Sequence, residues 1–123
     1  MKFADFIRTV GDRADIPDRF EAEKTSAVVL QTLADRLTGK EANDLLAQLP
    51  AALKELVVVS PSPQPISVDE FVQRVADELS VEPDEARRRI RAVFATLREA
   101  VTWGELRDVL EEVDPEYVDL LLA

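Results

Sequence analysis

The stretch ATLREAVTWGELRDVLEEVDP, residues 95 to 115, decides the fold because the chain has already said it once. Thr32, Leu33, Thr38, Glu41, Asp44 and Leu46 recur as Thr96, Leu97, Thr102, Glu105, Asp108 and Leu110, at a constant offset of 64 residues. Working outward, Val29 recurs as Val93 and Leu56 as Leu120 at the same offset, and Phe6 and Val10 recur as Phe71 and Val75 at 65. One residue has therefore been gained or lost near Pro17 to Phe20. A register kept over this length is the mark of a tandem duplication.

The repeated unit reads as helical. Phe3, Phe6, Ile7 and Val10 share one stripe of a helix over about residues 2 to 14, and Val68, Phe71, Val72, Val75 and Leu79 form the matching stripe after Ser67. Pro17 and Pro83 are suited to open the second helix of each unit, where the absent proline N–H costs nothing. Ala22, Ser26, Val29, Leu30, Leu33 and Leu37 face inward in one; Ala86, Ile90, Val93, Phe94, Leu97 and Val101 do so in the other. Thr38 with Glu41, Thr102 with Glu105 and Ser67 with Glu70 have capping-box spacing, in which hydroxyl and carboxylate satisfy each other's backbone donors. A short fourth helix starts near Pro50 or Pro115, carrying Leu53, Leu56 and Val57 or Tyr117, Leu120 and Leu121.

The expectation is an all-α, pseudo-twofold helical bundle of two tandem four-helix units, about eight helices in one domain over 1–123. The repeats span 1–59 and 67–123. Pro61, Pro63 and Pro65 make residues 60–66 an extended connector crossing the outside of a joint core. About 60 residues of short helices are a marginal core alone, so the copies are expected to pack together.

Composition narrows the chemistry. The chain has 123 residues, 46% of them hydrophobic, and a formal charge of -10. Residues 1 to 64 carry ten acids and eight bases, whereas residues 65 to 123 carry fifteen and seven. That field opposes phosphate backbones and anionic lipid, so neither nucleic acid nor membrane is an expected partner. Without Cys or His the chain lacks thiolate chemistry and the usual proton shuttle. No apolar run approaches a membrane span and the first residues do not resemble a signal peptide, which makes cytoplasmic residence the expectation.

Three features stand out as candidate sites. Arg87, Arg88 and Arg91, continued by Arg98, could bind an anion or an acidic partner through guanidinium forks. The competing and favoured reading is a solvated face, because Asp84 and Glu85 precede the arginines in the order that supports a helix. Trp103 stands where the first copy has Gly39; it is expected to wedge into the interhelical turn, with an exposed partner anchor as the alternative. The tail residues Tyr117, Val118, Leu121 and Leu122, together with Leu120, look too apolar for one short helix to bury and are assigned to self-association.

No cofactor and no metal site are expected: Asp108, Glu111 and Glu112, and likewise Asp12 and Asp15, read as exposed acids without an EF-hand pattern. The leading functional expectation is a non-enzymatic interaction or accessory module, monomeric or weakly homodimeric. A small-molecule or anion-binding regulator, using the arginines or a groove between the repeats, is the alternative. An enzyme would require buried, neighbouring carboxyls in a cleft.

The chain also resembles a bacterial family known as domain of unknown function 2267. FADFIRTV at 3–10 and VDEFVQRV at 68–75 match its opening helix, while the stretch from Val28 through LLAQLP and that from Ala92 to Pro115 match its later signature. The resemblance implies a small, all-helical cytosolic protein of bacterial or archaeal type, and carries over no catalytic residue, ligand or cofactor. Trp103 departs from the small residue or proline that the family pattern leads one to expect there.

Overall fold

In the computed structural model, which describes residues 1–122, the described residues form eight helices and no strand. They are α1 (Phe3–Ala14), α2 (Arg19–Arg36), α3 (Gly39–Ala47), α4 (Ala51–Lys54), α5 (Val68–Leu79), α6 (Pro83–Ala100), α7 (Trp103–Glu112) and α8 (Glu116–Leu122). The first and fifth are 12 residues long, and the second and sixth are 18.

The stripes read from the sequence are the buried faces. Phe6, Ile7 and Val10 on α1 and Phe71, Val72 and Val75 on α5 belong to one cluster that runs unbroken to Leu120 and Leu121. Helices from the two halves alternate in contact: α1 lies on α6, α5 on α2, α2 on α6, and α3 on α7. The aromatic core sits in the second half. The Phe71 ring meets those of Phe94 and Tyr117 edge-on at 5.8 and 5.9 Å, whereas the corresponding positions of the first half hold Phe6, Leu30 and Leu53.

Several local devices differ from the sequence reading. Helix α2 opens on Asp18, whose carboxylate accepts from the Phe20 and Glu21 amides, while Pro17 stays outside the helix. An ionised cap satisfies orphan donors more strongly than a proline merely avoids adding one. Pro83 does occupy the first turn of α6. Helices α1 and α5 each end on a left-handed residue that is not glycine, Asp15 at φ 57° and Ser80 at φ 54°. Both ends close with a bond back over five residues, Ile16 N–H to Gly11 O at 2.8 Å and Val81 N–H to Ala76 O at 3.0 Å.

Helix α4 is a single turn, and Leu56, placed on it by the sequence reading, lies beyond it and is exposed. The segment from Val57 to Ser60 forms no strand. Its backbone is instead held by the Gln31 amide, which donates to Val58 O at 2.9 Å and accepts from Val58 N–H at 2.8 Å. The connector is also pinned inward. Ile66 is buried and its carbonyl accepts from the Tyr117 hydroxyl, whose ionisation burial pushes up to about 12.

Candidate functional site

The most unusual chemistry lies where α3 meets α7. Thr38 and Thr102 cap these helices as their spacing predicts, each hydroxyl accepting from the amide three residues on at 3.2 Å. The return half of each capping box is missing. Thr38 N–H donates to Glu112 Oε1 at 2.8 Å and its hydroxyl donates to Oε2 at 2.7 Å. Thr102 N–H donates to Gln48 Oε1 at 2.8 Å. Gln48 and Glu112 occupy equivalent places in the repeat, so the end of each helix caps the beginning of the other.

This exchange releases Glu41 and Glu105 from the capping duty that the sequence assigns to them. Both turn into the seam, where they are only 7% and 8% exposed. Ionised, they leave Glu41 Oε1 and Glu105 Oε1 buried with no donor. Burial, then the hydrogen bond to Glu105, then the charges of Glu105, Asp108 and Glu112 push the Glu41 carboxyl up to about 8. A protonated Glu41 would carry a donor of its own into the seam. Asp108, more exposed, brings a third carboxylate, and one oxygen from each of Glu41, Glu105 and Asp108 lies within 4.8 Å of the others. The nearby Lys40 is paired with Asp44 at 2.9 Å and fully solvated.

The sequence places these acids elsewhere: it assigns Asp108 to an exposed cluster with Glu111 and Glu112, and Glu41 and Glu105 to caps. The signal that finds them is the repeat itself. When equivalent helices pack on each other, equivalent residues meet, so identical acids at 41 and 105 confront one another.

Arg87, Arg88 and Arg91 come together around a shallow depression of about 530 Å³, joined by Arg13 and Asp84. Arg88 holds Glu85 at 2.7 Å and also donates to Ala14 O, Arg13 is bonded to Glu99 and Thr96, and Arg87 stands 3.9 Å from Asp69. Arg98 departs from the group and donates to Leu121 O at 2.5 Å.

The more consequential arginine is one absent from the predicted set. Arg89, largely buried, donates to Glu85 at 2.8 Å, to Glu21 at 2.8 Å and to Thr25 at 3.1 Å, tying α6 to α2. Its hydrogen bond, ahead of that from Arg88, holds the Glu85 carboxyl below the usual carboxylate range.

Trp103 does not wedge into the turn. It is 62% exposed on the first turn of α7. Its counterpart Gly39 lies under the connector, where a Cβ would approach Ser60 O to 3.2 Å, so the first copy has no room for such a ring. The tail also packs differently from expectation. Tyr117 and Leu121 are wholly buried within the chain, with Leu120, and only Val118 and Leu122 of the assigned surface remain partly exposed. Helix α8 spends its apolar face on α6, which removes Tyr117 and Leu121 from any self-association surface.

A groove of about 490 Å³ does open between α2 and α5, lined by Val28, Gln31, Asp35, Arg74, Asp77 and Leu56 among others. Among the described residues, no helix is long and apolar enough to cross a membrane.

These features define an all-α helical bundle whose distinctive chemistry is a carboxyl pair in a helix seam. The chain belongs to the family described as "Uncharacterized conserved protein (DUF2267)", whose model matches residues 3–120. No curated protein matches the chain.

Proposed function

We propose that this protein is a non-enzymatic interaction module of the cytoplasm, with Trp103 as its anchor. The observation that carries the reading is the 62% exposure of that ring. A covered aromatic side chain removes about 150–250 Å² from water, worth roughly 4–6 kcal/mol at 25 cal/mol per Å². Most of that gain is left for a partner to collect, either another protein or, more weakly, a second copy that also uses Val118 and Leu122. The net charge of -10 supports a protein partner over nucleic acid or membrane. Glu41 and Glu105 are neighbours inside a helix seam and line neither the arginine depression nor the α2–α5 groove, which supports structural or binding duty over turnover.

The scaffold beneath this surface is, in our reading, a duplicated four-helix unit arranged about an approximate twofold axis between α3 and α7. The equal lengths of α1 and α5 and of α2 and α6, the exchange of caps by Gln48 and Glu112, and the reciprocal packing of α1 on α6 and α5 on α2 support it.

Site-specific photocrosslinking in the native cell tests the function. A crosslinker at position 103 is expected to give a discrete adduct that the same group at exposed Val58 does not, with twice the chain mass if the partner is a second copy. Equal labelling from both positions would contradict the reading.

Arg91 favours a second reading, because among the described residues it forms no ion pair or hydrogen bond while three other guanidinium groups line the same depression. An anionic metabolite would find bidentate donors there. Thermal-shift responses to anions that vanish in Arg87→Ala/Arg91→Ala support it; responses that survive exclude it.

A further inference from the structure

The repeat brings equivalent glutamates together twice, and the chain resolves the two encounters differently. Glu21 and Glu85, 64 positions apart, both receive Arg89, so a guanidinium bridges them. Glu41 and Glu105, also 64 apart, have no such bridge, and among the described residues neither takes part in an ion pair. Each is more than nine-tenths buried and points an unpartnered oxygen into the seam. Like charges placed face to face away from water require a cation or the loss of one charge.

We propose that the α3–α7 seam is a divalent-cation site of the calcium type, with Glu41, Glu105 and Asp108 as its carboxylate ligands. The proposal goes beyond the interaction reading and does not depend on it. Three oxygens within 4.8 Å of one another are close enough to share one ion with bonds of about 2.3–2.6 Å. Magnesium, which keeps several of its waters and demands near-ideal octahedral geometry, is the poorer match for two carboxylates that are largely buried. The donor set is all oxygen, with no imidazole or thiolate anywhere in the chain to favour zinc or copper. Asp108 is exposed and gives the ion a way in from solvent, and water completes the shell on that side. Glu112, held by Thr38, adds negative potential without needing to ligate.

Calcium titration of the chelator-treated full chain by calorimetry is the test. The expected result is saturable uptake of one ion per chain, weakened about tenfold or more in Glu105→Gln and in Asp108→Asn, and retained in Asp12→Asn/Asp15→Asn. Far-UV circular dichroism verifies that each variant is folded. The unmodified chain gives an independent reading: terbium in the seam is expected to luminesce on excitation of Trp103, two residues from Glu105, and to be displaced by calcium. Uptake that does not saturate at one equivalent, that is indifferent to Glu105→Gln, or that leaves terbium dark overturns the proposal and leaves a protonated Glu41 in the seam.

Discussion

Thr38 takes its backbone cap from Glu112, 74 residues away, with both carboxylate oxygens engaged at 2.8 and 2.7 Å. The bond joins the start of α3 to the end of α7 and substitutes for the local contact that Glu41 could have made. Glu112→Ala is therefore expected to cost about 1–2 kcal/mol, as loss of a helix cap does. A double-mutant cycle with Thr38→Val, read by urea denaturation, should return a coupling of about 0.5 kcal/mol or more; strict additivity would mean that the bond contributes nothing.

Stability should fall as pH rises across the neutral range when calcium is chelated. Glu41 ionises near 4.5 in the unfolded chain and at about 8 in the folded one. Between those values the folded state holds a proton that the unfolded state has released. The stabilisation is complete below the lower value, declines as pH approaches the upper one, and is gone above it, at about 1.4 kcal/mol per pH unit at the steepest. Glu85, shifted the opposite way by Arg89, loses its contribution in acid. Together they place the optimum on the acid side of neutrality, which urea melts over a pH series would locate.

Glu41→Gln should stabilise the chelated protein in alkaline buffer, because the amide donates where the carboxylate could not and removes one of two confronted charges. A gain of about 1 kcal/mol is expected. The same change at Glu85, which Arg89 needs, should destabilise.

Much of this architecture was legible beforehand. The stripes of Phe6, Val10, Phe71 and Val75 fixed two buried helix faces, and Ser67 and Pro83 marked two helix starts, because those signals are local. The carboxyl seam was not legible from spacing. Whether Glu41 turns back toward Thr38 depends on a competitor in a distant helix, and Glu112 wins it. Trp103 misled for a related reason: an aromatic ring normally seeks cover, and only the packing shows that none is available. Asp18 and Pro17 are both helix-start residues, and only geometry ranks them.

Trp103→Ala should leave stability within about 0.5 kcal/mol, as expected for a surface position. Trp103 is the sole tryptophan, so native emission should peak close to that of the urea-unfolded chain. A strongly blue-shifted native spectrum in dilute solution would contradict its exposure.

Leu121→Asp should unfold the chain, at a cost of about 3 kcal/mol or more, since it buries a charge against α6. Leu122→Asp should be tolerated. If Leu121→Asp instead left a stable monomer, the packing of α8 would be wrong.

Helices α3 and α7 exchange caps and thereby press Glu41 against Glu105. Carbon-13 carboxyl titration of the glutamates by NMR, in chelator, tests it most directly. Glu41 should titrate at about 8, and in Glu105→Gln its value should fall but stay above the ordinary range, because burial is the larger cause. A Glu41 carboxyl titrating near the ordinary glutamate value of about 4.3 in the unmodified protein would contradict the account.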